Sequence, residues 1–93
     1  MNLYFRNSHG KIRKIGKIDG RMRAQKIIDE ISKQIKAFCD ERNFTIYYTR
    51  IWNEDLQGKP ATKYDVGSHT EFFYVCPPVY HLYEKVRKAN GEA

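Results

Sequence analysis

The sequence has little that would cross-link a small domain or anchor it in a membrane. Its only two cysteines, Cys39 and Cys76, among 93 residues are too few for a disulfide framework, and no zinc-type spacing surrounds them. No apolar run is long enough to span a bilayer, and the N-terminus lacks the apolar segment of a signal peptide. We therefore expect one domain, residues 1–93, in the cytoplasm, with reduced thiols and no membrane partner.

Motifs of the common enzyme classes are also missing. The chain has no P-loop, no nucleophile elbow, no Gly-rich dinucleotide fingerprint and no carboxylate set typical of a metal enzyme. The sequence thus predicts a protein without cofactor, metal or turnover. A hydrolase or nuclease that uses His69 with Asp65 or Glu71 is the catalytic alternative, since histidine exchanges protons near neutral pH.

Acidic residues are scarce at the start of the chain. Residues 1–26 contain eight Lys or Arg against one acid, Asp19, whereas residues 27–93 carry nine basic and ten acidic residues, for a net charge of +6. A positive field concentrated in this way favours an anionic partner, such as a nucleotide, a nucleic acid or an acidic protein surface.

Residue patterns predict an α+β domain with an antiparallel sheet in the order ββαββ and a short C-terminal helix. Residues 2–6 and 11–18 alternate around a turn, as in a hairpin. A bulge near Gly16 would place three isoleucines of the second strand on one buried face: Ile12, Ile15 and Ile18. Apolar residues spaced by three and four predict a long amphipathic helix over 21–42, packed on one face of the sheet, with Asp19 as its cap and Asn43 at its end.

The second half of the chain predicts an antiparallel strand pair, 44–52 and 62–75, followed by a helix over 79–88. The longer strand should bend or break at Gly67. In the first strand the more apolar parity should face the helix, which would bring Arg50 beside the core: Phe44, Ile46, Tyr48, Arg50 and Trp52. Residues 53–61 are predicted to form a mobile loop and residues 89–93 a frayed tail.

The stretch from Tyr64 to Tyr74 has the composition of a binding site. On a straight strand Asp65, His69 and Glu71 would share one face, and we expect a nucleotide-like anion to bind there. The predicted ligand contacts are cations for phosphate, rings for a base and polar groups for the remaining edges: Arg21, Arg23 and Arg50; Tyr47, Tyr48 and Trp52; and Asp65, Ser68, His69, Thr70 and Glu71. The structural alternative is a strand face that is merely solvated.

Two other functions compete with the pocket. The first is a DNA- or RNA-binding module that uses the basic hairpin and the residues after it: Lys11, Arg13, Lys14, Lys17, Arg21 and Arg23. The second is inhibition of a host protein by direct contact. A homodimer is also predicted, because a small domain rich in aromatic rings gains core by association.

Residues 47–52 (YYTRIW) and 64–73 (YDVGSHTEFF), joined by a polar loop, resemble a pattern in small uncharacterised proteins encoded by phages and prophages of Gram-positive bacteria. The resemblance implies an accessory, anti-defence role in the cytoplasm of the host bacterium. Such a protein would sequester a nucleotide signal, block a host protein or act on nucleic acid. The resemblance transfers no catalytic residues.

Overall fold

In the computed structural model, which describes residues 1–91, seven elements follow one another in the order ββαβββα. They are β1 (Asn2–Arg6), β2 (Ile12–Lys17), α1 (Ala24–Glu41), β3 (Arg50–Asn53), β4 (Thr62–Asp65), β5 (Phe72–Cys76) and α2 (Tyr80–Ala89). The strands form one antiparallel sheet in the order β2-β1-β5-β4-β3. The α+β class and the antiparallel sheet are confirmed, but the predicted order ββαββ lacks one strand.

The additional strand arises because the chain turns back between β4 and β5. Gly67 adopts φ +102°, a conformation that side-chain-bearing residues rarely adopt. The Asp65 carboxylate accepts the amide of Gly67 at 3.0 Å, and the Ser68 hydroxyl accepts the amide of Glu71 at 3.1 Å. These local bonds replace ladder bonds, so the expectation that Asp65, His69 and Glu71 line one strand face is wrong.

The strand predicted over 44–52 is shorter, since only Arg50–Asn53 joins the ladder. Its partner β4 ends at Asp65, opposite Arg50, and residues 44–49 therefore have no strand beside them apart from one bond between the Tyr47 amide and the Val66 carbonyl. The predicted facing is confirmed for Phe44 and Ile46, which pack against the helix-covered core, but is wrong within the strand itself. Ile51 packs into the helix-covered core, whereas Arg50 is exposed on the opposite face.

The bulge predicted near Gly16 is confirmed. Leu3 pairs with Gly16 and Tyr4 with Lys14, which leaves Ile15 as the extra residue. Ile15 packs against the helix-covered core, but Ile12 belongs to the cluster on the other face. The expectation that all three isoleucines share one face is therefore wrong. Side chains along a strand point alternately to the two faces, so Ile12 lies on the same face as Lys14, opposite to Ile15.

Helix α1 begins later than predicted and ends as predicted. The Asp19 carboxylate accepts the amide and the guanidinium of Arg21 in a turn before the helix, so Asp19 is not the cap and Arg23 occupies that position without a side-chain bond. At the other end, Asn43 adopts φ 56° and Phe44 donates its amide to the Cys39 carbonyl at 2.9 Å. This is a Schellman motif.

Both helices cover the same face of the sheet. Ile27, Ile31 and Ile35 of α1 and the partly buried Leu82 and Tyr83 of α2 belong to one core. The strands contribute five buried side chains to it: Leu3, Phe5, Tyr64, Phe73 and Val75. The opposite face, called the helix-free face below, carries a smaller cluster without helical residues: Leu56, Ala61 and Tyr74, with Tyr4, Ile12, Phe72 and Cys76 at its edge.

The segment predicted as a loop, 53–61, begins with the last residue of β3, and residues 54–61 connect β3 to β4 through a two-residue turn. Leu56 and Lys59 exchange backbone hydrogen bonds of 2.7 and 3.0 Å, and Gln57 and Gly58 between them have φ values of 51° and 84°, as in a type I′ hairpin. Leu56 is buried on the helix-free face. The mobility of this segment stays a prediction.

The C-terminal helix ends at Ala89, one residue beyond the predicted end. Of the predicted tail 89–93, residues 92 and 93 lie outside the described part of the chain. Among residues 1–91 no helix combines the length and apolar character needed to cross a bilayer.

We expect Thr62→Val to destabilise the fold by about 2 kcal/mol, because it leaves buried amides without an acceptor. The fully buried Thr62 hydroxyl accepts the amides of Val79 and Tyr80 at 2.9 and 3.2 Å and donates to Asn53, which fixes the start of α2. Urea unfolding measures the loss. Thr45→Val, at an exposed position, is the control, and equal midpoints for the two variants would contradict this role of Thr62.

Candidate functional site

The structure brings together only part of the predicted nucleotide pocket. Arg50 stands opposite Asp65 in the β3–β4 register, and its Cζ lies 5.1 Å from the centre of the Tyr48 ring. Arg50 and Tyr48 are exposed, so a cation and a ring face solvent at the edge of the sheet. This group is the part of the prediction that has the chemistry of an anion site.

Ser68 and Glu71 lie elsewhere, at the C-terminal end of α1. The Glu71 carboxylate is paired with Arg42 at 2.9 Å, and the Arg42 guanidinium lies 4.7 Å from the centre of the Phe5 ring. The space that Ser68, Glu71 and Arg42 line together with neighbouring rings has a volume of about 20 Å³. That is room for about one water molecule, and a nucleotide base does not fit.

The remaining predicted residues are dispersed. His69 and Thr70 are exposed in the turn between β4 and β5, and Tyr47, 73 % exposed, lies against Gly67. Arg21 and Arg23 precede the first turn of α1, at the opposite end of an 18-residue helix from Glu71, which is a separation of about 27 Å. Within residues 1–91 no group of three or more His, Cys, Asp or Glu side chains is placed to hold a metal ion.

A different cluster stands out on the helix-free face, around Lys63. The Lys63 side chain is only 10 % exposed, and its Nζ lies 4.1 Å from the centre of the Phe72 ring and 5.6 Å from those of Trp52 and Tyr74. Aromatic faces attract cations, most strongly where water is excluded. Three rings from two strands, β3 and β5, therefore enclose one ammonium group.

Glu54 completes this cluster. Its carboxylate accepts Lys63 Nζ at 3.0 Å, Trp52 Nε1 at 3.2 Å and the Tyr74 hydroxyl at 3.3 Å. Burial alone would raise the pKa of Glu54, but these donors outweigh it and leave the pKa below its ordinary value. The group is thus an ion pair with two further donors on the same carboxylate.

Cations and aromatic rings lie side by side across the helix-free face. The strand registers give one row of five residues, read from β2 to β3: Lys14, Tyr4, Tyr74, Lys63 and Trp52. A neighbouring row places Arg6 beside Phe72, and Arg50 lies two residues from Trp52 on the same side of β3. Leu56 packs over the centre of the first row, which leaves Trp52 and Phe72 as half-buried rings with cations around them.

The basic residues predicted for nucleic-acid binding in the hairpin and after it are divided between the two faces of the sheet. Lys14 pairs with Tyr4 and Lys17 with Asn2, so both belong to the helix-free face. Arg13 lies on the other face, with its guanidinium 5.4 Å from the centre of the Phe38 ring, and Lys11 is exposed beside the hairpin turn. Arg21 is paired with Asp19, which lowers its availability to a ligand.

Sequence reasoning missed the residues that carry the arrangement on the helix-free face: Arg6, Glu54, Lys63 and Phe72. Lys63 offered a signal, since it lies inside a strand pattern at a position that must be either solvated or paired. Its partners are set by cross-strand register, which alternation in one strand does not reveal.

Compared with protein-family models, with curated proteins and with solved structures, the chain matches none.

We expect acid to remove the stabilisation that ionised Glu54 provides. Because its pKa is lowered in the folded state, this stabilisation is complete above the ordinary glutamate pKa and is lost as the pH falls through the lower folded value. The unfolding free energies of the wild type and Glu54→Gln should thus differ at pH 7 and converge below about pH 4.

Urea unfolding at several pH values measures this convergence. Asp55→Asn is the control, because Asp55 is exposed and forms no ion pair within residues 1–91. The expectation is contradicted if the unfolding free energies of the wild type and Glu54→Gln differ by the same amount from neutral to acidic pH.

Proposed function

We propose that the protein binds single-stranded nucleic acid on the helix-free face of its sheet. The observation that carries the proposal is the combination of cations and aromatic rings along the strand register of this face. Proteins that bind single strands combine a positive surface along the backbone with rings on which bases stack. Both features occur here on one face, and neither helix covers it.

The half-buried rings of Trp52 and Phe72 are the stacking surfaces in this proposal. Arg6 and Arg50 flank them and Lys14 extends the positive surface, so that these three cations contact phosphates. Neighbouring strands are about 4.8 Å apart, hence the face spans a few nucleotides. The binding is without turnover, and no catalytic residue is assigned.

The anti-defence role that the phage resemblance implies is also a proposal, and action on nucleic acid is one form of it. Sequestration of a small nucleotide is the competing form, for which Arg50, Tyr48 and Asp65 are the group that lies together. The cavity beside Glu71 is too small for a nucleotide base, and Arg50 and Tyr48 lie on the exposed surface. Both observations support a polymer on an open face over a nucleotide in a closed pocket.

We expect Arg6→Gln/Lys14→Gln to weaken binding of a fluorescein-labelled oligothymidylate of about ten nucleotides. Loss of two phosphate contacts should reduce affinity roughly tenfold at low salt and lower the slope of log affinity against log salt by about 1.4. Fluorescence anisotropy at several salt concentrations measures both quantities.

The matched control is Lys26→Gln/Lys33→Gln, which removes the same charge from exposed positions of α1. It should affect affinity much less. Equal losses in the two double variants would show that only net charge matters and would contradict binding on the helix-free face.

We expect Phe72→Leu to reduce affinity for the same oligonucleotide roughly tenfold, because a stacking ring contributes about 1–3 kcal/mol per base. Tyr47→Leu is the control. The Tyr47 ring is more exposed than the Phe72 ring, but it lies against Gly67, away from the cluster around Lys63. A loss in Tyr47→Leu without one in Phe72→Leu, together with binding of mononucleotides that Arg50→Ala abolishes, would favour the nucleotide pocket.

A further inference from the structure

Three donors on the helix-free face converge on a single anion. The ammonium of Lys63, the indole N–H of Trp52 and the hydroxyl of Tyr74 all bond to the Glu54 carboxylate at 3.0–3.3 Å. We infer that these donors form a phosphate-binding subsite and that the Glu54 carboxylate occupies it in the free protein. The inference rests on the proposed function, since it names the position where one phosphate of the bound strand lies.

The chemistry of the subsite suits a phosphodiester. Its non-bridging oxygens carry one negative charge and accept hydrogen bonds from the same donors as a carboxylate. Replacement of Glu54 by a phosphate therefore keeps Lys63 paired, which matters because that side chain is only 10 % exposed and an unpaired buried charge is costly.

The two partners differ in their access to solvent. The Glu54 side chain is 43 % exposed and lies outside Lys63, so the carboxylate can leave by rotation of its own side chain. The backbone can stay in place, since the Glu54 amide is bonded to the Ala61 carbonyl at 3.0 Å. A ligand then reaches Lys63 without opening the sheet.

The subsite also lies beside the proposed stacking rings. Phe72 is the ring nearest to the ammonium, at 4.1 Å from its centre, and the Trp52 ring borders the same group. A phosphate on Lys63 would thus have a ring on each side for the neighbouring bases. Lys63 is therefore assigned a direct contact with the ligand as well as its place in the fold.

The test is Glu54→Gln, which removes the internal anion and leaves the donors in place. Its affinity for the labelled oligothymidylate should be roughly tenfold higher than that of the wild type, and the salt slope should steepen by about 0.7, as for one more phosphate contact. Asp55→Asn is the matched control, because it changes the net charge equally at the next, exposed residue. Equal affinities for Glu54→Gln and Asp55→Asn would overturn the subsite.

A second variant tests the subsite even if Glu54→Gln does not fold. Glu54→Gln/Lys63→Met contains no unpaired buried charge, and circular dichroism and thermal unfolding verify its fold. If Lys63 contacts phosphate, this double variant binds the oligonucleotide several-fold more weakly than the wild type. If the ion pair serves the fold alone, the two affinities are equal, and the inference is wrong.

Stabilisation by inorganic phosphate tests the subsite independently of the proposed function. Ligands that bind only the folded state raise the unfolding temperature, so millimolar phosphate should stabilise Glu54→Gln more than Asp55→Asn at constant ionic strength. Absence of oligonucleotide binding in every variant would refute the proposed function but leave this comparison intact. Equal phosphate shifts in the two variants would refute the subsite.

Discussion

The ion pair between buried Lys63 and Glu54 is the constraint on which the helix-free face depends. A nearly buried ammonium needs an anion within reach. Here Glu54 supplies it, nine residues away in sequence but only two residues after Trp52, the register partner of Lys63. A slip of one residue in the β4 register would turn Lys63 toward the helices, where no acid is placed to receive it among the core residues. The pair therefore favours the β4 register in which Lys63 lies on the helix-free face.

Because both helices cover the same face of the sheet, the other face lies at the surface of the protein. Sheet faces in α+β domains are commonly divided into one packed and one solvated side, but here the second side holds half-buried rings and a paired cation. The two-residue turn at Gln57 and Gly58 folds Leu56 over part of it. The rest of the face stays accessible. The face therefore has a packed cluster at its centre and exposed cations beside half-buried rings.

The sequence allowed correct prediction where one segment alone determines structure. The spacing of Ile27, Ile31 and Ile35 predicts α1, and Asn43 marks its end because its backbone adopts the left-handed conformation that a Schellman motif needs. The errors concern non-local geometry. Residues 44–49 have the composition of a strand, but within residues 1–91 only the Tyr47 amide bonds to a neighbouring segment, at the Val66 carbonyl. Glu71 does not join Asp65, because Arg42, distant in sequence, pairs with it at the end of α1.

Sheet topology joins two features that the sequence presents separately. The N-terminal residues are strongly basic and the stretch around Tyr64–Tyr74 is rich in rings, and a linear reading treats them as alternative sites. The strand order β2-β1-β5-β4-β3 places the basic hairpin directly beside β5, so that Arg6 pairs with Phe72 and Tyr4 with Tyr74. The charge of one segment and the rings of the other thus form one surface, which neither segment would form alone.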